Sequence, residues 1–296
     1  MLMSFSINLL ADLQDMWQYP FMQHAFVAGT IVAIIAGIVG YFVVLRRSSF
    51  AAHALSHVGF SGAAAAVLIG IDPVIGLLLF TSGGGITMAL LGRRATSRDV
   101  QIGTVLAFML GLGVLFISLY KGYASEAYSI LFGQILGISN DDVIVTFGAG
   151  LVILALIALV YRPLLFASLD EDVAEAKGLP MLSLGIIFML LVAVAVSISV
   201  QVVGVLLIFS LMVTPAAIAH RLSKRPRKGI IISVTVALIA TWLGLFIAYY
   251  EPYPVSFFIT TIVFVMYLST LVLQRVRERS INSADMAEKR KVPERE

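Results

Sequence analysis

The chain has 296 residues, of which 60% are hydrophobic and only 12% charged, with no cysteine and a formal net charge of +3. Soluble domains carry about 25% charged residues, so this composition excludes a soluble globular protein and describes an integral membrane one. The lack of cysteine excludes disulfides, thiolate ligands and iron–sulfur clusters together, which leaves imidazole, carboxylate, amide and carbonyl groups for any metal.

In chain order, residues 1–20 read as an external or interfacial segment. They show no basic n-region and no small-residue cleavage site, so no cleavable signal peptide is expected. Apolar stretches long enough to span then follow at about 25–45, 51–70, 73–92, 100–120, 142–161, 180–199, 202–220, 229–249 and 255–274. The predicted fold is an all-α polytopic bundle of 8–9 transmembrane helices, with one membrane domain over 21–275. Residues 276–296 are charged and poor in apolar side chains, and they are expected to form a disordered cytoplasmic tail.

Orientation follows from charge. With the N-terminus outside, all but Lys121 of the 20 Lys and Arg fall on the cytoplasmic side, in clusters such as Arg46/Arg47, Arg93/Arg94/Arg98 and Arg221–Lys228. The external segments carry Asp12, Asp15, Asp72, Glu126, Asp141, Asp142 and Glu251 instead.

Two of the four histidines, His53 and His57, lie in the run AHALSHVGFSG. A spacing of four puts both on one helix face, where they can share a ligand. Ten residues separate Arg47 from His57, about 15 Å of helical rise, or half the hydrocarbon core. One reading is a pair of polar residues tying helices together by hydrogen bonds. The other is a transit site for a transition metal, because imidazole suits Zn, Cu, Fe and Ni. His24, near the external edge of the first span, is an interfacial residue or a lead-in ligand.

The cytoplasmic stretch SLDEDVAEAKGLP, residues 168–180, reads as a short helix. Asp170 caps its start, Glu171 and Asp172 favour its positive end, and Gly178–Leu179–Pro180 stops it. A solvated loop has this composition, and so does a membrane subunit's contact with a cytoplasmic motor. Farther on, Gly204 and Pro215 among small residues predict a kinked, closely packed helix.

Four ordered pieces carry a resemblance: AHALSHVGFSG at 52–62, LFGQILGIS at 131–139, DEDVAEAKGLP at 170–180 and VGVLLIFSLMVTPAAIA at 203–219. In these the chain resembles the permease subunits of bacterial zinc/manganese-type ABC importers. The resemblance implies a multi-pass protein of the bacterial cytoplasmic membrane. It also implies a homodimer that binds two cytoplasmic ATPase subunits and takes Zn²⁺ or Mn²⁺, as transported substrate and not as a cofactor, from an external metal-binding protein. Residues 170–180, with Asp170, Glu171, Asp172, Glu175 and Gly178, would be the coupling helix. Lipids would surround the bundle, and no nucleic-acid partner is expected.

Two departures stand out. Family members often carry Asp where this chain has His53, and an acidic residue where it has Pro252, beside Glu251. Glu251, Asp72 and His24 are therefore the candidate gate or entry residues. An imidazole in place of a carboxylate leans the cargo toward Zn²⁺ over Mn²⁺.

No G-x-x-x-x-G-K-[ST] loop is present, so ATP would be hydrolysed on a separate subunit and the chain would be no enzyme. A proton- or ion-coupled secondary transporter, or a channel, is the alternative. Proton relays commonly use Asp or Glu inside the membrane, and the predicted spans hold none away from their ends.

Overall fold

Helix is the only regular structure among the described residues of the computed structural model, which are 14–91, 98–120 and 133–289, the side chains of 98 and 277–289 excepted. Asp12, Arg93, Arg94, Lys121 and Glu126 of the charge argument lie outside them, as do residues 131–132 of LFGQILGIS and 290–296 of the tail.

The helices are α1 Pro20–Leu45, α2 Ser49–Ile69, α3 Pro73–Leu91, α4 Arg98–Leu119, α5 Asn140–Leu169, α6 Glu171–Ala176, α7 Met181–Leu222, α8 Pro226–Tyr250 and α9 Val255–Lys289. A single 3₁₀ turn, Ile135–Gly137, precedes α5. All but α6 are long and apolar enough to cross a membrane, eight in number among the described residues.

Local chemistry sets the starts. Pro20, Pro73 and Pro226 each begin a helix, where the missing N–H costs nothing. Asp72 Oδ1 accepts the Val74 N–H (2.8 Å) at the start of α3. At α5, Ser139 and Asp142 satisfy each other's backbone N–H groups in a capping box.

The 42-residue α7 covers the stretch expected to hold two spans, 180–199 and 202–220. Its backbone leaves helical geometry at Gly204 (φ 82°, ψ 164°) and not at Pro215. Contacts along α7 show that the chain turns back there. Near its start Phe188 lies 5.1 Å under the Arg46 guanidinium at the cytoplasmic end of α1. Ser197 shares a 2.6 Å hydrogen bond with Thr81 midway along α3. Gln201 donates to Asp142 (2.9 Å) at the external start of α5.

Beyond Gly204 the direction reverses. Met212 packs its backbone against Gly40, and the His220 ring stacks on Tyr41 (4.4 Å, 12°), both near the cytoplasmic end of α1. The two arms, 181–203 and 205–222, are therefore antiparallel, and nine arms among the described residues alternate across the membrane as the charge pattern requires. A positive φ makes Gly204 the natural pivot. It rests on Gly133 (φ 76°), where a Cβ would collide with the Val203 carbonyl and the Gly204 nitrogen.

This reversal has a direct check in a chain without native cysteine. A cysteine at Ser223 should react with an impermeant maleimide only from the cytoplasmic side, and one at Glu251 only from outside. External labelling of Ser223→Cys would mean that α7 crosses once.

Two boundaries differ from expectation. Helix α5 continues past 161 through Arg162 and Pro163 to Leu169, reaching the short α6 directly. Helix α9 continues to Lys289, where a disordered tail is expected from residue 276. Its Glu, Ala, Met and Lys are strong helix formers, and no Gly or Pro occurs before Pro293.

Candidate functional site

Helix α2 is seated by small side chains. Ala51, Ala52, Ala54, Ser56, Gly59, Ser61 and Gly62 are buried. Gly62 and Gly76 approach so closely that a Cβ on either would strike the other's carbonyl, which clamps α2 to α3. Its other faces meet α4 and α7. Ser61 donates to the Met109 carbonyl of α4 (2.5 Å).

This seating leaves both histidines half-buried on a shared face. The rings of His53 and His57 are 4.7 Å apart and nearly perpendicular (85°). Phe209, on the returning arm of α7, lies 4.6 Å from the His53 ring. His53 Nδ1 is buried without a hydrogen-bond partner, at a cost of about 1–3 kcal/mol. A histidine retained to tie helices together needs an acceptor on the neighbouring helix. Among the described residues Phe209 faces His53 instead, which weakens that reading. The pair can offer two imidazole nitrogens to a cation. No group of three or more His, Asp or Glu side chains gathers as a metal cage among the described residues. Two ligands suit passage better than storage, since tight closed sites use four.

The candidate entry residues lie toward the external ends of their helices. His24 Nδ1 donates to the Ile138 carbonyl (3.2 Å), tying α1 to the turn before α5. Asp72, besides capping α3, lines an external cavity of about 190 Å³ with Gln134, Asp142 and Gln201. Glu251 is exposed at the C-terminus of α8. Gln201 and Asp142 were not singled out as site residues from sequence. The S-N-D-D capping pattern at 139–142 signals Asp142 alone and carries nothing about Gln201.

On the cytoplasmic side, Asp170 accepts the Val173 N–H (3.0 Å) and begins α6, and Gly178 (φ 80°) ends it, both as its composition predicts. Ala174 is fully buried, whereas Val173 is 42% exposed. Lys177 sits over the Phe166 ring (5.1 Å), holding the helix to the end of α5. Asp170, Glu171, Asp172 and Glu175 are exposed, as is the apolar Val173, so α6 presents a largely acidic surface.

Comparison with known proteins places these features in a family. The chain is 30% identical over 238 residues to the manganese transport system membrane protein MntC of Listeria monocytogenes, covering 80% of this chain and 85% of that one. It is 32% identical over 233 residues to the manganese import system permease protein ScaB of Streptococcus parasanguinis, covering 78% and 83%. Among solved structures, PsaBC from Streptococcus pneumoniae in complex with Fab aligns with a TM-score of 0.80 at 30% identity, over 89% of this chain and 95% of that one. Residues 18–274 match the ABC 3 transport family. The chain belongs to that family, as a multi-pass permease of the bacterial cytoplasmic membrane and not an enzyme.

Proposed function

We propose that the chain is the membrane permease of an ATP-driven importer for a divalent transition metal, with transit at His53 and His57. The observation that carries this reading is the perpendicular imidazole pair, 4.7 Å apart on an otherwise apolar span, with a buried ring nitrogen that has no partner. Two copies of the chain would pair, with two ATPase subunits on the cytoplasmic side and a metal-binding protein outside. Metal would arrive past the acidic external ends, bind the imidazoles weakly, and leave when ATPase closure displaces α6.

Two cargoes are in view for specific reasons. His53 supplies an imidazole, which favours Zn²⁺ over the harder Mn²⁺. The named relatives are manganese proteins. Vesicles holding the permease with its partner subunits should take up zinc or manganese in an ATP-dependent way, and competition between the two ions ranks them. Uptake of neither, or uptake driven by a proton gradient without ATP, would overturn this reading.

A further inference from the structure

We propose that Arg46 is a positioning residue that links the coupling helix to the histidine helix, so that movement of α6 reaches the metal pair. This rests on the import reading above. A cavity of about 530 Å³ lies at the cytoplasmic end, lined by Arg46, Phe188, Met88, Met189, Glu171 and Glu175. Glu171 and Glu175 are one turn apart and share a face of α6. The half-buried Arg46 enters the same cavity from the end of α1, with its guanidinium 5.1 Å over the Phe188 ring of α7. One cation and two carboxylates of the short helix therefore line the same cavity, with charges of opposite sign that attract.

The backbone behind Arg46 can pass a displacement on. The α1–α2 turn is tightly bonded, with Arg46 N–H to Phe42 O (2.9 Å), Ser48 N–H to Val43 O (2.8 Å) and Ala52 N–H to Ser48 O (3.0 Å). The Ser48 hydroxyl donates to the Arg46 carbonyl (3.2 Å). Arg47, the one non-glycine residue with positive φ among the described residues (52°), fixes the reversal. Helix α2 follows at Ser49, and His53 is four residues along it, about one helical turn or roughly 6 Å. A pull on the guanidinium thus acts on a stiff elbow whose other arm carries the histidines.

An arginine that merely anchors the bundle at the membrane surface would affect stability and both activities together. A link changes their ratio. The test measures ATP hydrolysis and metal uptake in the same vesicles containing permease, ATPase and binding protein, with zinc and manganese as probes. Arg46→Ala should keep hydrolysis within about two-fold while metal imported per ATP falls about ten-fold, within the usual span of coupling between sites. Arg46→Lys, which keeps the charge and loses the planar stack, should fall between. Arg46→Glu combined with Glu175→Arg should recover part of the ratio lost in Arg46→Glu.

An unchanged ratio in Arg46→Ala, or a parallel loss of hydrolysis and uptake, would overturn the link. If Arg46→Ala does not assemble, Arg46→Gln, uncharged and of similar reach, carries the same comparison. Absence of uptake by the unaltered complex would instead count against the import reading itself.

Discussion

Replacing His53 and His57 together by alanine is expected to cut metal uptake by about 10–100-fold or more, the scale on which metal sites respond when their ligand environment is lost. The fold should survive. Both positions lie in a helix already rich in alanine, and alanine is the strongest helix former. The substitution also removes a buried nitrogen without a partner, which offsets part of the cost of losing the ring contacts with Phe209. The double variant should therefore accumulate in the membrane, bind the ATPase and hydrolyse ATP, with only the cargo step lost. Full transport by this variant would sink the transit assignment. A companion substitution sharpens the metal question. His53→Asp installs the carboxylate often found in the family, and carboxylates suit Mn²⁺ better than imidazole does. Its competition profile should move toward manganese, while His57→Asp, one turn deeper, tests whether the first position sets the preference. Equal profiles for all three proteins would mean that selection is made elsewhere.

Features that depend on residues near in sequence were readable before the structure. The spacing of His53 and His57 gives their shared face, and Asp170 and Gly178 mark both ends of α6. The charge asymmetry gives the alternation of arms, because each cluster follows its own span. Gly204 and Pro215 both signal a bend, but only packing decides between them. Gly204 meets Gly133 across a contact that admits no Cβ, whereas Pro215 continues its arm with helical dihedrals. The Gln201–Asp142 bond joins residues 59 positions apart, and Arg46 meets Phe188 across 142. Periodicity and capping rules carry no information over such separations. The same limit applies to Asp72, His24 and Glu251. All are external and polar, and sequence alone could not show which partner each one takes.

Val173→Asp is expected to abolish co-purification of the ATPase subunit and, with it, ATP-dependent uptake. Val173 is the large exposed apolar side chain of α6, a helix whose Asp170, Glu171, Asp172 and Glu175 are also exposed. An apolar residue on an acidic cytoplasmic helix has a use if a partner covers it. Burying a valine contributes about 1.5–3 kcal/mol, and placing a carboxylate in the same contact adds the cost of desolvating an unpaired charge. Together these exceed about 3 kcal/mol, more than a hundred-fold in affinity. The helix itself should persist, since the Asp170 cap and the Lys177–Phe166 contact that hold it do not involve the Val173 side chain. Ala174 provides the contrast, because it is fully buried against the body of the permease. A tryptophan there would unseat α6 from beneath and lower the thermal stability of the permease alone, whereas Val173→Asp should leave that stability unchanged. Retained ATPase binding by Val173→Asp would remove this face of α6 from the interface.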